Sequence, residues 1–372
     1  MSKPRILIIE NSIATTGALK AILKSAIDLR HHFDFFFIIP KNSKIETDIE
    51  KAGFAVEQLN MIEINKKFLS LLLYVPQLFI NSIRLKQTVR RLRIDLIHVN
   101  DLYNLIPPIA VCLGMRVAYI SHVRFMPNRV PKIIFSLWMN IHIKFANKII
   151  AVSHSLKNSL PKHSKIVMIY DGFPVEKKLP DLGGKRSTNT FLYLANFIRG
   201  KGQEHALAAF AQIHEKIPNW KLRFVGGDMG LFKNRDYLQE LHNQARKTGL
   251  TKKIEWAGFT DDVEREYRSA DIVLNFSESE SFSMICAEAL YFGIPTIASD
   301  SGGPAEIIHH NETGLLVING QIAKMSDAML KLATDSGLRE YMKQNSTTAH
   351  RKFSPEKTSS ILKELYTQSL QR

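Results

Sequence analysis

Cysteine is almost missing from this chain. Cys112 and Cys286 are its only two, far apart in sequence and each in apolar surroundings. That provides no disulfide framework and makes buried thiols in a reducing compartment the default. A membrane-length apolar run is also missing. The longest uncharged stretch, Phe68 to Ile83, has sixteen residues and is broken by Pro76, against the ~20 that span a bilayer. No secretory signal is expected, because the N-terminus passes directly into a short strand, Ile6 to Ile9. There is no short-period repeat, no low-complexity tract, no His/Cys/Asp cluster with metal-ligand spacing and no recognised nucleic-acid motif, so no metal and no nucleic-acid partner are expected. Acidic residues are scarce in one half only. Residues 1–186 carry 28 Lys/Arg against 13 Asp/Glu, whereas residues 187–372 carry 22 of each. The whole net charge of +15 therefore sits in the first half, which calls for an acidic partner there.

What is present is the composition of a globular protein long enough for two domains, with 45% hydrophobic and 23% charged residues in 372. Strands are expected at Ile6–Ile9, Phe35–Ile39, Leu96–Val99, Val117–Ile120 and Ile149–Val152, with helices near 17–29, 64–93 and 130–147. A stretch rich in Pro, Gly, Lys and Ser/Thr, 173–190, reads as a linker. A second series of strands follows at Phe191–Leu194, Leu222–Val225, Ile254–Trp256, Ile272–Phe276 and Thr296–Ala298. The tail has apolar residues at Ile361, Leu362, Leu365 and Tyr366, a helical spacing. This is an α/β chain with domains at 1–172 and 191–353 and a C-terminal helix at 354–372.

The most informative segment is Glu280-Ser-Phe-Ser-Met-Ile-Cys-Ala-Glu288, followed by Ala-Leu-Tyr-Phe-Gly293-Ile-Pro295. Ser277 to Ser283 reads as a loop after a buried strand. Ser283 can cap a helix from Met284 to Phe292, which Gly293-Ile-Pro295 ends. In a parallel α/β sheet, ligands sit at the C-terminal ends of strands, where Glu280 would lie, and free N–H groups at the next helix start suit a phosphate. Eight helical residues rise ~12 Å, too far for the ~5–5.5 Å of a retaining glycosidase pair. The spacing favours two separate jobs over one acid/base pair; the bland alternative is a loop acid and a helix-surface Glu.

The segment resembles the E-x7-E signature of retaining GT-B glycosyltransferases of family four, E-G-F-G-x-x-x-x-E-A-x-x-x-G-x-P. Glu280, Phe282, Glu288, Ala289, Gly293 and Pro295 match it, and Ser281 and Ser283 replace two glycines. Arg199-Gly-Lys201-Gly202 resembles the family's G-R-x-x-x-x-K-G motif. Lys201 matches its lysine, Asn196 stands where the arginine is expected, and Arg199 is placed to supply the missing charge. Leu222-Arg-Phe-Val-Gly226-Gly227-Asp228 is similar to the I-V-G-x-G turn, and Ile254-Glu-Trp-Ala-Gly258-Phe259 to the segment whose backbone reads the donor base. Gly17 is what remains of the family's glycine-rich loop. His122, in Tyr-Ile-Ser-His-Val-Arg124, matches a His that faces the donor sugar or reaction centre. Arg124 faces the acceptor on this reading, and His98, Asn100 and Asp101 shape the acceptor side.

The resemblance implies two Rossmann-like domains facing a cleft, with the last helix crossing back to the first domain. It also implies transfer of a sugar, with retention, from a nucleotide-diphospho-sugar (a UDP-sugar by preference) without a cofactor or metal. Glu280, His122 and Lys201 would carry the chemistry. Gly17, Asn196, Arg199, Gly226, Phe259, Ser281, Phe282, Ser283, Met284 and Glu288 would bind the donor with Lys201. The basic and apolar neighbourhoods at Lys66–Arg93 and Lys132–Lys144 suit an anionic membrane interface or a lipid-diphosphate acceptor; solvated helices with buried apolar faces are the plain alternative. The expected acceptor is lipid-linked or a growing polysaccharide, and the expected location is cytoplasmic, extending to the inner face of the membrane. A soluble enzyme with a small-molecule or glucan acceptor, a GT-B epimerase and a non-catalytic nucleotide-sugar-binding subunit are the rivals.

Overall fold

The structure, a computed structural model, describes residues 3–61, 68–173 and 188–371. The chain forms two compact units, Met1–Pro174 with Phe353–Arg372, and Val175–Lys352. Most of the expected linker, 174–187, lies outside the described residues.

Seven parallel strands build the first unit: β1 (Arg5–Ile9), β2 (Asp34–Pro40), β3 (Ala55–Leu59), β4 (Leu96–Val99), β5 (Ala118–Val123), β6 (Lys148–Ala151) and β7 (Ile166–Met168). Their order is β3-β2-β1-β4-β5-β6-β7. The central strands are apolar on both faces and almost wholly buried, the pattern of a parallel sheet covered by helices on each side. The helix Gly17–Leu29 starts at Thr16, whose Oγ1 accepts from Leu19 N, and buries Leu19, Ile22, Ala26 and Leu29. The helix Pro355–Leu370 starts at Ser354 with Pro355 in its first turn and packs against Gly17–Leu29 and β4. Its Leu362, Leu365 and Tyr366 complete the same core as Ile6, Ile8, Phe35 and Ile120. The C-terminal helix does return to the first unit.

The second unit repeats the plan with β8 (Thr190–Leu194), β9 (Lys221–Val225), β10 (Ile254–Ala257), β11 (Ile272–Asn275), β12 (Thr296–Ser299) and β13 (Gly314–Val317). All pairs are parallel, in the order β10-β9-β8-β11-β12-β13. In each sheet the order reverses direction once at the centre, between β1 and β4 and between β8 and β11. Such a switch point leaves a crevice at the strand C-termini.

The elements missed in the sequence include three helices of the second unit, Phe232–Lys247, Ile322–Thr334 and Ser336–Ala349, and several short pieces. β3 is an edge strand with polar, half-exposed positions, and β7 has only three residues. β13 opens on Gly314, where a Cβ would lie 2.3 Å from Thr296 O, so the close pairing with β12 itself requires the glycine. The helices Glu46–Lys51, Ile106–Cys112 and His154–Ser159 have one or two turns each, too few for a period to be read. β5 runs to Val123, three residues beyond expectation, so His122 lies inside the strand.

Candidate active site

In the second unit the loops after β8 and β11 meet at the switch point. The first, Ala195–Gly202, turns into the helix Gln203–Ala211; the second, Phe276–Ser283, turns into the helix Met284–Tyr291. Glu278 N donates to Gly200 O at 2.9 Å. Tyr193 Oη donates to Lys201 O and accepts from Phe276 N at 2.9 Å, so one buried hydroxyl ties both loops. Ser277 Oγ adds a bond to Lys201 O at 3.3 Å. Gly202 is left-handed (φ 81°), and a Cβ there would lie 2.1 Å from Phe276 O; only glycine permits this approach. The result is a Lys201 Nζ–Glu280 Oε1 ion pair of 2.8 Å. The lysine side chain remains 35% exposed, a cation held in place yet open to solvent on one side.

Glu280 is held by its backbone. Its N–H donates to Ser301 O at 3.0 Å and its carbonyl accepts from Gly303 N at 2.8 Å. Gly303 again must be glycine, since a Cβ would lie 2.0 Å from Phe282 O. Phe282 is buried beneath the loop. Ser283 sits at φ 87°, ψ 84°, in the left-handed region that the resembled family fills with glycine. Its Oγ accepts from Cys286 N, capping the helix, and from Asn275 Nδ2 at 2.7 Å. The N–H groups of Met284 and Ile285, ahead of the capped Cys286, open this helix directly after the loop that carries Glu280, a setting favourable to anionic oxygen.

The remaining sequence-derived positions divide. Asn196 Oδ1 accepts from Gly227 N at 3.1 Å, and Phe197 N donates to Gly227 O at 2.9 Å. Asn196 therefore holds the Gly226–Gly227 turn after β9. That turn is close: a Cβ on Gly226 would lie 2.0 Å from Ala195 O. Phe259, after β10, is exposed beside this turn. Arg199 goes elsewhere. Its guanidinium pairs with Glu240 and lies over the Tyr237 ring, 5.1 Å from the centroid. Glu288 is buried, and its Oε2 accepts from Tyr267 Oη at 2.7 Å. Burial, then the adjacent Glu288 charge, holds the Tyr267 hydroxyl well above its ordinary pKa, so it stays a donor. Tyr193, Tyr267 and Ser277 were not singled out in the sequence; a buried tyrosine has no spacing signature.

In the first unit, His122 and Arg124 come from β5 and its end, and His98, Asn100 and Asp101 from β4 and the loop after it. Gly17 is exposed at the first turn of its helix. His122 Nδ1 lies 2.7 Å from His98 Nε2, and His98 Nδ1 lies 2.5 Å from Tyr366 Oη. Arg124 donates through Nε to Asn100 Oδ1 at 2.9 Å and pairs through Nη1 with both oxygens of Asp171. Asn100 Nδ2 donates to Glu10 at the end of β1, across the switch point. Arg124, read as facing the acceptor, is thus engaged inside the unit, its side chain 6% exposed. Burial and the Arg124 charge press both histidines toward the neutral form, with the His98 pKa lowered to about 3.

Two family models match adjoining parts of this chain: Glycosyltransferase Family 4 over residues 24–177 and Glycosyl transferases group 1 over 175–349. Together the two matches run across residues 24–349, which supports a GT-B glycosyltransferase of the family-four type. This glycosyltransferase is 30% identical over 218 residues to the uncharacterized glycosyltransferase MJ1607 of Methanocaldococcus jannaschii, covering 53% of this chain and 54% of the relative. It is 27% identical over 237 residues to the N-acetyl-alpha-D-glucosaminyl L-malate synthase of Bacillus anthracis, covering 60% of each. The chain thus spans little more than half the length of these curated relatives. The crystal structure of Anabaena Alr3699/HepE in complex with UDP and glucose shares the fold, with a TM-score of 0.83 at 22% identity over 97% of this chain and 99% of that one. Among the described residues of this glycosyltransferase, no helix is long and apolar enough to cross a membrane.

Proposed function

We propose that this chain is a retaining glycosyltransferase that moves a sugar from a nucleotide-diphospho-sugar, a UDP-sugar by preference, to a lipid-linked or growing polysaccharide acceptor. The Lys201–Glu280 pair, formed by the loops after β8 and β11 at the sheet's switch point, carries this reading. The UDP and glucose in the Anabaena neighbour support the donor class.

On this reading Lys201 and the helix start at Met284 stabilise charge on the departing diphosphate. Glu280 orients the hydroxyls of the transferred sugar. Glu288 meets the ribose, with Tyr267 holding one of its oxygens. Gly17, Asn196, Gly226, Phe259, Ser281, Phe282 and Ser283 belong to the donor site, Asn196 through the Gly226–Gly227 turn, whereas Arg199 is engaged by Glu240. His122 is the first unit's residue in the reaction. The bond from the anomeric carbon to the diphosphate oxygen breaks while the acceptor oxygen bonds to the same face, and the acceptor proton passes to the departing phosphate. Lys201 supplies the cation, and no metal is assigned a role.

The acceptor assignment rests on two exposed helix faces of the first unit. The helix Phe68–Leu92 exposes Val75, Phe79, Ile80 and Ile83 ahead of Arg84, Arg90 and Arg91, and the helix Lys132–Phe145 exposes Ile133 (84%) and Leu137 (56%). Apolar side chains beside cations match an anionic lipid surface, at about 1 kcal/mol per well-placed cation, and fit a cytoplasmic enzyme peripheral to the inner face of a membrane. The small-molecule product in the name of the Bacillus relative, an N-acetyl-alpha-D-glucosaminyl L-malate, supports a second reading, a soluble enzyme with a small acceptor.

Thermal shift with a panel of nucleotide sugars, followed by transfer and hydrolysis assays, tests the donor half. Lys201→Ala and Glu280→Ala should each abolish transfer in a folded protein; near-full activity in both would remove the site assignment. Sedimentation with anionic and neutral liposomes tests the acceptor half, and binding to neither removes the membrane surface in favour of the soluble reading.

A further inference from the structure

The line Tyr366–His98–His122 has a direction that its own chemistry determines. His98 on β4 lies opposite Ile120 of β5, so His122, two residues on, shares its face as a diagonal neighbour. The two rings stand 4.6 Å apart between centroids. Tyr366 reaches His98 from the C-terminal helix, 268 residues away in sequence. Each imidazole is neutral in this buried setting and carries one proton, so each contact needs one donor and one acceptor.

Two observations at opposite ends choose between the two ways of filling the line. At one end, Arg124 Nη2 approaches His122 Nδ1 at 3.5 Å. A guanidinium is only a donor, so an N–H on Nδ1 would point at another N–H and at a positive charge. Nδ1 is therefore the acceptor atom, and the His122 proton sits on Nε2. At the other end, the Tyr366 hydroxyl is fully buried and has no partner except His98 among the described residues. If it accepted from His98, its own hydrogen would be left unsatisfied, at a cost of roughly 1–3 kcal/mol. Both ends give the same order: Tyr366 O–H to His98 Nδ1, and His98 Nε2–H to His122 Nδ1.

We propose that Tyr366 and His98 are positioning residues that lock His122 as its Nε2–H tautomer, so that His122 offers the reaction a hydrogen-bond donor and not a base. This rests on the reading of His122 as the first unit's residue in the reaction. It gives the C-terminal helix a part in the chemistry beyond packing. A neutral donor at a sugar or acceptor oxygen polarises without removing a proton, which agrees with a transfer in which the departing phosphate takes that proton.

The test is a long-range 1H–15N correlation spectrum of the full chain labelled at histidine, taken at pH 7.5 with steady-state kinetics alongside. The His122 signals are identified by their loss in His122→Gln. The expected wild-type pattern is protonated Nε2 and bare Nδ1 on His122. Tyr366→Phe keeps the ring and should leave a mixture of tautomers, with kcat down roughly five- to tenfold, the effect of one lost buried hydrogen bond, and KM for the donor little changed. His98→Gln retains an amide donor and should keep the Nε2–H form with kcat nearer wild type than in His98→Leu. A proton on Nδ1 of His122 in the wild type overturns the proposal, whatever the variants do. An unmoved tautomer in both Tyr366→Phe and His98→Leu overturns it too. Full transfer activity in His122→Gln overturns instead the reading on which it rests, and the spectrum keeps the two failures apart.

Discussion

Ser283 allows a test in which two substitutions separate strain from hydrogen bonding. A left-handed non-glycine residue costs roughly 1–2 kcal/mol, and Ser283, at φ 87°, carries that cost in the folded protein. Its hydroxyl offsets it by capping the helix Met284–Tyr291 at Cys286 N and by accepting from the buried Asn275 Nδ2. Ser283→Ala keeps the strain and loses both bonds; the cap and a buried bond together are worth about 2 kcal/mol. Ser283→Gly loses the same bonds but relieves about 1–2 kcal/mol of strain and costs about 0.5–1 kcal/mol in the freer unfolded chain. The glycine variant should therefore be the milder of the two by about 0.5–1 kcal/mol, the reverse of the order at an ordinary helical position. Urea denaturation read at constant m, with amide exchange at Cys286 and Ala287, measures both. An alanine variant as stable as the glycine variant, or more so, would refute the strain argument. It would also mean that the family's glycine is used here for its lack of a side chain and not for its backbone freedom.

Other outcomes follow from the same geometry. Gly202→Ala places a Cβ 2.1 Å from Phe276 O at a left-handed position, and should cost several kcal/mol, visible as a lowered urea midpoint and a lost donor-induced thermal shift. Tyr193→Phe removes the hydroxyl between Lys201 O and Phe276 N. It should destabilise by about 2 kcal/mol and lower kcat while Lys201 and Glu280 are both still present; unchanged kcat would disconnect loop positioning from the ion pair. The buried histidines set an acid limit. His98 and His142 have pKa values lowered to about 3 and about 4, while the unfolded chain binds their protons near 6.5. The unfolded state holds the extra protons in that window, so stability is level above about pH 6.5 and falls below it. The slope is up to about 1.4 kcal/mol per pH unit for each histidine. Urea midpoints from pH 7 to pH 4 check this, and His142→Asn should flatten the slope.

The sequence made the repeating strand–helix order legible because buried parallel strands are continuous apolar runs, as Ile6–Ile9 and Ile272–Asn275 show. The same runs marked which loops would hold a ligand, and Lys201 and Glu280, 79 residues apart, do meet there. What stayed hidden was how side chains divide between ligand and scaffold. Arg199 has the charge and the spacing of a phosphate contact, yet Glu240, on the helix Phe232–Lys247, engages it. Asn196, a missing arginine by pattern, is a hydrogen-bond acceptor for a turn. Tyr193 and Tyr366 have no motif, because their importance lies in partners from other strands and helices that no local pattern places.

The first unit is built from both ends of the chain, with all of Val175–Lys352 between its two parts. During synthesis at about 5–20 residues per second, the seven-stranded sheet waits on the order of 10–40 s before Leu362, Leu365 and Tyr366 exist to cover it. Through that interval the apolar face of β1 and β4 and the Nδ1 of His98 face solvent or a chaperone. The sheet's maturation is thus timed by the making of the other unit, and a ribosome stalled between Met168 and Pro355 leaves an uncovered first unit behind it.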